Sequence, residues 1–246
     1  MRLNRILSVL SVSFLAFQAL GQSDNLSPER RAFEQVYKSG VWGKGSGLGS
    51  APRYSLPYLF LLQGLLAHND VQTIVDFGCG DWQLMSTITL PVGKIYKGFD
   101  LVESIIQSNV KKYSQPQVTF TQLNNLEEFS TVEGDLLIVK DVLHHWPTEK
   151  VQFFLEKMLP HFKYALIVND FKLPSNKKEL KVNGPIEYGE WRALDLQEAP
   201  FDKWAKNMEV LMDYPSHGAI KRVYLYINPQ FSSQEAFVES WSSKKM

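Results

Sequence analysis

A chain of 246 residues with 44% hydrophobic content can bury one sizeable core, and a single α/β domain is the economical reading. Its 26 basic and 26 acidic residues cancel, so nothing points to electrostatic capture of nucleic acid, although a local basic patch remains compatible with that balance. The sole cysteine, Cys79, excludes an intrachain disulfide and a cysteine-based zinc site.

The first residues have the three parts of an export signal. Arg2 and Arg5 are a basic start, Ile6 to Phe17 a mostly apolar run, and Ala19-Leu20-Gly21 a small-x-small cleavage pattern. The run is short for a bilayer span and is interrupted by Ser8, Ser11 and Ser13. Residues 1–21 therefore read as a cleaved signal, with a mature, exported domain over 22–246 and no stable membrane span. A misassigned start codon would instead leave the protein cytoplasmic. No Met occurs between Met1 and Met85, so that start would be a non-Met codon near Leu26.

Ser27-Pro28 is a helix start, with Ser as N-cap and Pro at the first helical position; Phe33, Val36 and Tyr37 share a face, and the helix ends around Ser39-Gly40. Trp42 to Ser50 is a glycine-rich loop. Tyr54 to Ala67 reads as a helix with Leu59, Leu62, Leu65 and Leu66 turned to a sheet.

Ile74, Val75 and Phe77 belong to a buried strand that stops at Gly78. Gly78 and Gly80 let the backbone turn tightly and pass close to a ligand, since neither has a Cβ. A helix opening near Trp82 would aim its unpaired N–H groups at that ligand. A dinucleotide fingerprint wants a third glycine where Gln83 stands, which disfavours NAD.

Strand and helix then alternate. Lys94 to Phe99 is a strand ending in Asp100, twenty residues past Gly80, where a ribose-binding acid belongs. Ile105, Ile106 and Val110 follow on a helix, and Val118 to Thr121 is a third strand. Asp135 to Val139 is the fourth, and it delivers Lys140, Asp141 and His145 to the carboxyl edge where such sheets bind ligands. His144 and His145 diverge as neighbours on one helix, and no third ligand pattern accompanies them, so no metal is expected. Val151, Phe154, Leu155 and Met158 form a core stripe that Pro160 ends. Tyr164 to Val168 is the fifth strand and presents Asn169-Asp170 to the same edge. Residues 170–200 read as a lid-like insertion, in which Trp191, Arg192 and Asp195 either bind substrate or pin the lid through an Arg192–Asp195 pair. A helix starts at Pro200, Phe201 and Trp204, and Met208 to Tyr214 with Ile220 to Ile227 close the chain as a hairpin.

The segment Asp76-Phe-Gly78-Cys79-Gly80-Asp81 resembles motif I of class I S-adenosylmethionine (SAM)-dependent methyltransferases. Gly45-Ser-Gly-Leu-Gly-Ser50 resembles a loop ahead of motif I in a bacterial subgroup of that family, where it folds over the cofactor or substrate. The run Asp135 to Pro147 is similar to the subgroup's D-L-L-I-x-K-D-V-L-x-H-x-P, departing from it where His144 replaces an expected Gln. Arg192 to Leu196 resembles its R-x-L-D-L segment. The resemblance implies a Rossmann-like fold, a seven-stranded mixed sheet with a C-terminal antiparallel hairpin. It implies SAM as cofactor, with Asp76, Gly78, Cys79, Gly80, Asp81, Asp100 and Lys140 at its site. The adenine amino group would fall to Gln122, Asn124 or Asn125, of which Asn124 is taken as the candidate. His145 and Asp141 are the candidate catalytic residues, and His145 has an equally fair structural role in fixing the loop. The acceptor is unidentified: a small molecule, a glycan or a protein. A non-catalytic SAM-binding protein of the same fold is the alternative, ahead of an NAD-dependent oxidoreductase.

Overall fold

Alternation of apolar side chains along each strand sorts two cores, one on each face of a sheet. In the computed structural model, which describes residues 26–172 and 181–231, Val75, Phe77, Leu137, Val139, Ala165 and Ile167 face one core. Ile74, Leu136, Ile138, Tyr164, Leu166 and Val168 face the other. Strands buried on both faces read as continuous apolar runs, as in a parallel sheet covered on both sides. The strands are β1 Thr73–Phe77, β2 Ile95–Asp100, β3 Val118–Gln122, β4 Gly134–Lys140, β5 Phe162–Lys172, β6 Met208–Ser216 and β7 Ala219–Ile227. They lie in the order β3-β2-β1-β4-β5-β7-β6. The first five are parallel, and β7 inserts antiparallel between β5 and β6. This is the seven-stranded mixed sheet with a closing hairpin that the sequence predicts.

Helix α1, Pro28–Ser39, starts and stops as its sequence dictates: the Ser27 hydroxyl accepts the Arg30 N–H at 3.3 Å, and Gly40 closes it in the left-handed region. Helix α2 spans Leu56–Leu66, with Pro57 in its first turn and a 3₁₀ turn at Pro52–Tyr54 ahead of it. Helix α3 is Glu103–Tyr113; Ile106 is buried, while Val110 is on the exposed side. Helix α4, Thr148–Phe153, passes into a π-helical turn over Phe154–Met158 and a 3₁₀ turn at Leu159–His161. Its predicted stripe of Val151, Phe154, Leu155 and Met158 is buried throughout.

Two predicted helices are absent. No α-helix opens at Trp82: residues 81–84 turn, and only a 3₁₀ turn, Met85–Thr87, precedes β2. Trp82 takes φ 58°, a left-handed conformation that a bulky residue adopts only where its side chain is held. Its indole lies among the rings of Tyr96, Tyr113 and Phe120. The helix expected from Pro200 is a 3₁₀ segment, Asp202–Asn207. The export signal, 1–21, and the part of the insertion at 173–180 fall outside the described residues. Among the described residues no helix is long and apolar enough to cross a membrane.

Candidate functional site

Strand order reverses between β1 and β4, and a crevice opens there at the carboxyl ends of the strands. After β1 the chain turns back on β2: the Gly78 and Cys79 N–H groups both donate to the Phe99 carbonyl, at 2.8 and 3.0 Å. Asp100 fixes the next step, its two carboxylate oxygens each accepting at 3.0 Å from Gly80 N–H and Val102 N–H. Gly78 has φ 73° and Gly80 φ 53°, and each also lacks room for a Cβ. One added at Gly78 would lie 2.4 Å from a Val142 methyl, and one at Gly80 would lie 2.2 Å from the Ser46 hydroxyl.

That second contact belongs to a latch. The Ser46 N–H donates to Asp81 Oδ2 at 3.2 Å, while the Asp81 N–H donates to Ser46 Oγ at 2.9 Å. Tyr37 Oη shares a hydrogen bond with Ser46 Oγ at 2.8 Å, Gln83 donates to the Gly47 carbonyl at 3.3 Å, and Lys140 Nζ donates to the Gly49 carbonyl at 3.0 Å. The glycine-rich loop thus lies across the β1 turn. Asp81, a predicted cofactor contact, is here the residue that fastens it.

Behind the turn, Asp76 is buried and accepts the Tyr96 hydroxyl at 2.5 Å. Burial outweighs that hydrogen bond and lifts its carboxyl to about 7. Burial likewise raises Asp100, against the pull of its two N–H donors, and raises the Cys79 thiol, which leaves Cys79 as a small packing residue.

At the ends of β4, β5 and β7 a string of charges crosses the sheet. Lys140 contacts Asp141, and Lys221 Nζ donates at 2.6 Å to both Asp141 Oδ1 and Asp170 Oδ1. Trp191 Nε1 donates to Asp170 Oδ2 at 2.9 Å. Asp141 sits at φ 59°, in the strained region that marks many functional positions. Burial alone would raise its pKa, but Lys140 and Lys221 outweigh burial and hold it well below the ordinary range. Burial also pulls Lys221 down, yet Asp141 and Asp170 outweigh it and the ammonium is held up; for Lys140 burial wins and the pKa falls.

The two histidines hold opposite tautomers. His145 Nδ1 lies 2.7 Å from the Glu190 carbonyl, which can only accept, so the proton is on Nδ1 and Nε2 carries a bare lone pair. His144 Nδ1 accepts the Asp170 N–H at 3.1 Å, so its proton is on Nε2. Burial lowers both pKa values, and both rings are neutral near pH 7. Asp141, His144 and Asp170 place potential metal-ligand atoms within 4.8 Å of one another, a convergence that the spacing did not suggest. Two features oppose a metal there. The Lys221 ammonium already bridges the carboxylates, and His144 has its free lone pair engaged by a backbone N–H.

A cavity of about 640 Å³ joins these parts. Asp76, Gly78, Cys79, Gly80, Asp81, Asp100, Lys140, Asp141 and His145 all line it. So do Tyr37 and Trp42, the latter with its indole 4.7 Å from the His145 ring. Asn124 does not: it is exposed, accepting from Arg30 at 3.0 Å and donating to Glu128 at 3.0 Å. Among the described residues of the insertion, Asp170 and Trp191 reach the cavity. Arg192 and Asp195 do not pair with each other. Arg192 donates to the Trp146 and Gly184 carbonyls, whereas Asp195 accepts from Arg222 and Tyr224. Lys221, Tyr58 and Ser216 line the cavity without having been singled out in the sequence. Lys221 stands opposite Asp170 in the β5–β7 register, a juxtaposition that becomes visible only once the strand order is known.

Neither a protein-family profile nor a curated protein matches the chain. Solved structures do. The complex of DhpI with S-adenosylhomocysteine (SAH) is 13% identical, with a TM-score of 0.53 over 82% of this chain and 98% of that one. The N-terminal domain of EvdMO1 with SAH bound is 12% identical, TM-score 0.51, over 70% of this chain and 79% of that one. An O-methyltransferase family protein from Burkholderia thailandensis is 12% identical, TM-score 0.50, over 72% of this chain and 57% of that one. At such identities the likeness is one of fold, and the fold is that of the class I methyltransferases.

Proposed function

We propose that the protein is a SAM-dependent methyltransferase acting on an acceptor bound at the β4–β5–β7 end of the cavity. The observation that carries this reading is the single cavity that runs from Asp100 and the glycine turn to His145 and the Lys140–Asp141–Lys221–Asp170 string. Its volume is in the range of small-molecule sites, roughly 300–1,000 Å³. The donor set suits the cofactor. Asp100 keeps two lone-pair sites beyond its backbone bonds, enough for a pair of ribose hydroxyls, and the bare Gly78 and Gly80 backbone lets a ligand approach. Tyr37 and Trp42 put aromatic rings in the wall, which suits a cationic ligand.

When bound, SAM supplies a methyl group activated on a sulfonium sulfur. The chain's own part is chiefly to hold acceptor and cofactor in line, where proximity and orientation give most of the acceleration. If the acceptor atom must lose a proton, His145 Nε2 is the group able to take it, being neutral and unprotonated there. Asp141, held ionised between Lys140 and Lys221, is a poor base, and its role is to position those lysines.

Calorimetry of the mature chain should show binding of SAH and none of NAD, and labelled SAM should pass its methyl to a component of a metabolite extract. Tight NAD binding with no response to SAH would overturn the assignment; SAH binding without transfer to any acceptor would favour a non-catalytic SAM-binding protein. We also propose export through residues 1–21, which N-terminal sequencing from the native host tests: a start at Gln22 supports it, and intact Met1 in the cytosol refutes it.

A further inference from the structure

The charged string at the acceptor end has a donor on every carboxylate oxygen. Each of the four carboxylate oxygens of Asp141 and Asp170 already takes a donor: Lys221 on both Oδ1 atoms, Lys140 and Trp191 on the two Oδ2 atoms. An ammonium has three N–H groups, and Lys221 spends two of them on these carboxylates. His144 carries its proton on Nε2.

Two hydroxyls complete the set. Tyr58 and Ser216 line the cavity, and their buried hydroxyls have no hydrogen-bond partner among the described residues. The Tyr58 ring lies 5.9 Å from Lys140 Nζ, and Ser216 lies two residues along β6 from Tyr214, the register partner of Lys221. A buried hydroxyl without a partner is costly, and native proteins keep such groups where a ligand or water meets them. The four charges of the string cancel.

Resting on the methyltransferase reading, we infer that the acceptor is a small oxyanion-bearing molecule, held through a carboxylate or phosphate-type group by Lys221, Tyr58 and Ser216. Both anions offer several acceptor oxygens and one negative charge or more, which is what an ammonium beside two unpartnered hydroxyls selects. A cationic acceptor would meet the Lys221 ammonium there instead.

The test is calorimetry of the full chain saturated with SAH, titrated with inorganic phosphate, with acetate and with methylammonium. Phosphate or acetate should bind saturably, the preferred one identifying the head group, and methylammonium should not. Removing both hydroxyls in Tyr58→Phe/Ser216→Ala should weaken the anion at least about tenfold, since hydrogen bonds to charged groups are the stronger kind. SAH affinity close to that of the unaltered chain shows that the variant is folded; a variant that loses SAH is replaced by Ser216→Ala alone, with the anion weakened in the same direction. Absence of anion binding to SAH-loaded protein, preference for methylammonium, or an unaltered anion affinity in the folded variant overturns the inference and leaves the cofactor assignment standing. Failure of SAH itself to bind removes both.

Discussion

Lys221→Met is the sharpest test of the charge string, because the substitution keeps the volume and removes only the ammonium. The Lys221 side chain is 4% exposed and bridges two carboxylates at 2.6 Å each. Breaking a buried pair from one side costs roughly 3–5 kcal/mol, because the remaining charge is stranded. Here the stranded groups keep some help: Asp141 retains Lys140, and Asp170 retains the Trp191 indole. The lower end, about 3 kcal/mol, is therefore expected. In urea, with a slope of roughly 1–3 kcal/mol per molar, the midpoint should fall by about 1–3 M at unchanged slope. The pH dependence has a definite sign. With Lys221 present the folded Asp141 pKa lies below its unfolded value, so its stabilisation is present above about pH 4 and is lost as pH falls towards the folded value. Without Lys221 the Asp141 carboxylate loses part of that lowering, so acidification removes less stabilisation from the variant and narrows the gap to the unaltered protein. Asp170→Asn in the Lys221→Met background should recover part of the loss. A loss below about 1 kcal/mol, or a gap that widens on acidification, would refute the reasoning.

Asp100→Ala should lower SAH affinity at least about tenfold by calorimetry, from the loss of charge-assisted ribose bonds, and it should also loosen the Gly80 turn that Asp100 fastens. Asp76, with a folded pKa of about 7 against about 4 unfolded, costs stability as pH rises between those values, by up to roughly 4 kcal/mol. Asp76→Asn should therefore gain on the unaltered protein in urea unfolding as pH goes from about 4 to about 7 and level off above; parallel profiles would count against this. His145→Ala should slow methyl transfer by roughly 10²–10⁴-fold with SAH affinity kept, if the acceptor must lose a proton. The unaltered protein's transfer rate should then be flat above the ordinary imidazole pKa, since burial keeps the ring neutral there. A joint fall of SAH affinity and thermal stability would instead make His145 the prop for Trp42, whose ring lies tilted against it at 4.7 Å.

What could be read of the fold from sequence was what depends on near neighbours. The Ser27 cap, the Gly40 stop, all seven strands and the closing hairpin each rest on a few adjacent residues. The helix expected at Trp82 failed because that residue's conformation is decided elsewhere, by Tyr96, Tyr113 and Phe120, which hold its ring in a left-handed turn. The π-helical turn after Phe153 escaped for a related reason. The apolar stripe gave the right buried face, and the face alone does not distinguish an α turn from a wider one.

The site divides along the same line. Gly78, Gly80 and Asp100 were legible because turn, close approach and carboxylate fall within one strand–turn–strand unit. Asn124 was misplaced relative to the cavity because its side chain is committed to Glu128 and to Arg30 of α1, the latter 94 residues away in sequence. The charge string was least legible of all. Asp141, Asp170, Trp191 and Lys221 sit on four separate segments; the first three stand out one by one in the sequence, whereas nothing in it joins them to Lys221. They meet because β7 inserts between β5 and β6, which sets Lys221 directly across from Asp170 and brings its ammonium to Asp141 at the end of β4. An antiparallel β7 at any other place in the sheet would leave both carboxylates without that counter-charge. The hairpin therefore does more than close the sheet: it supplies the cation that bridges Asp141 and Asp170 at that end of the cavity.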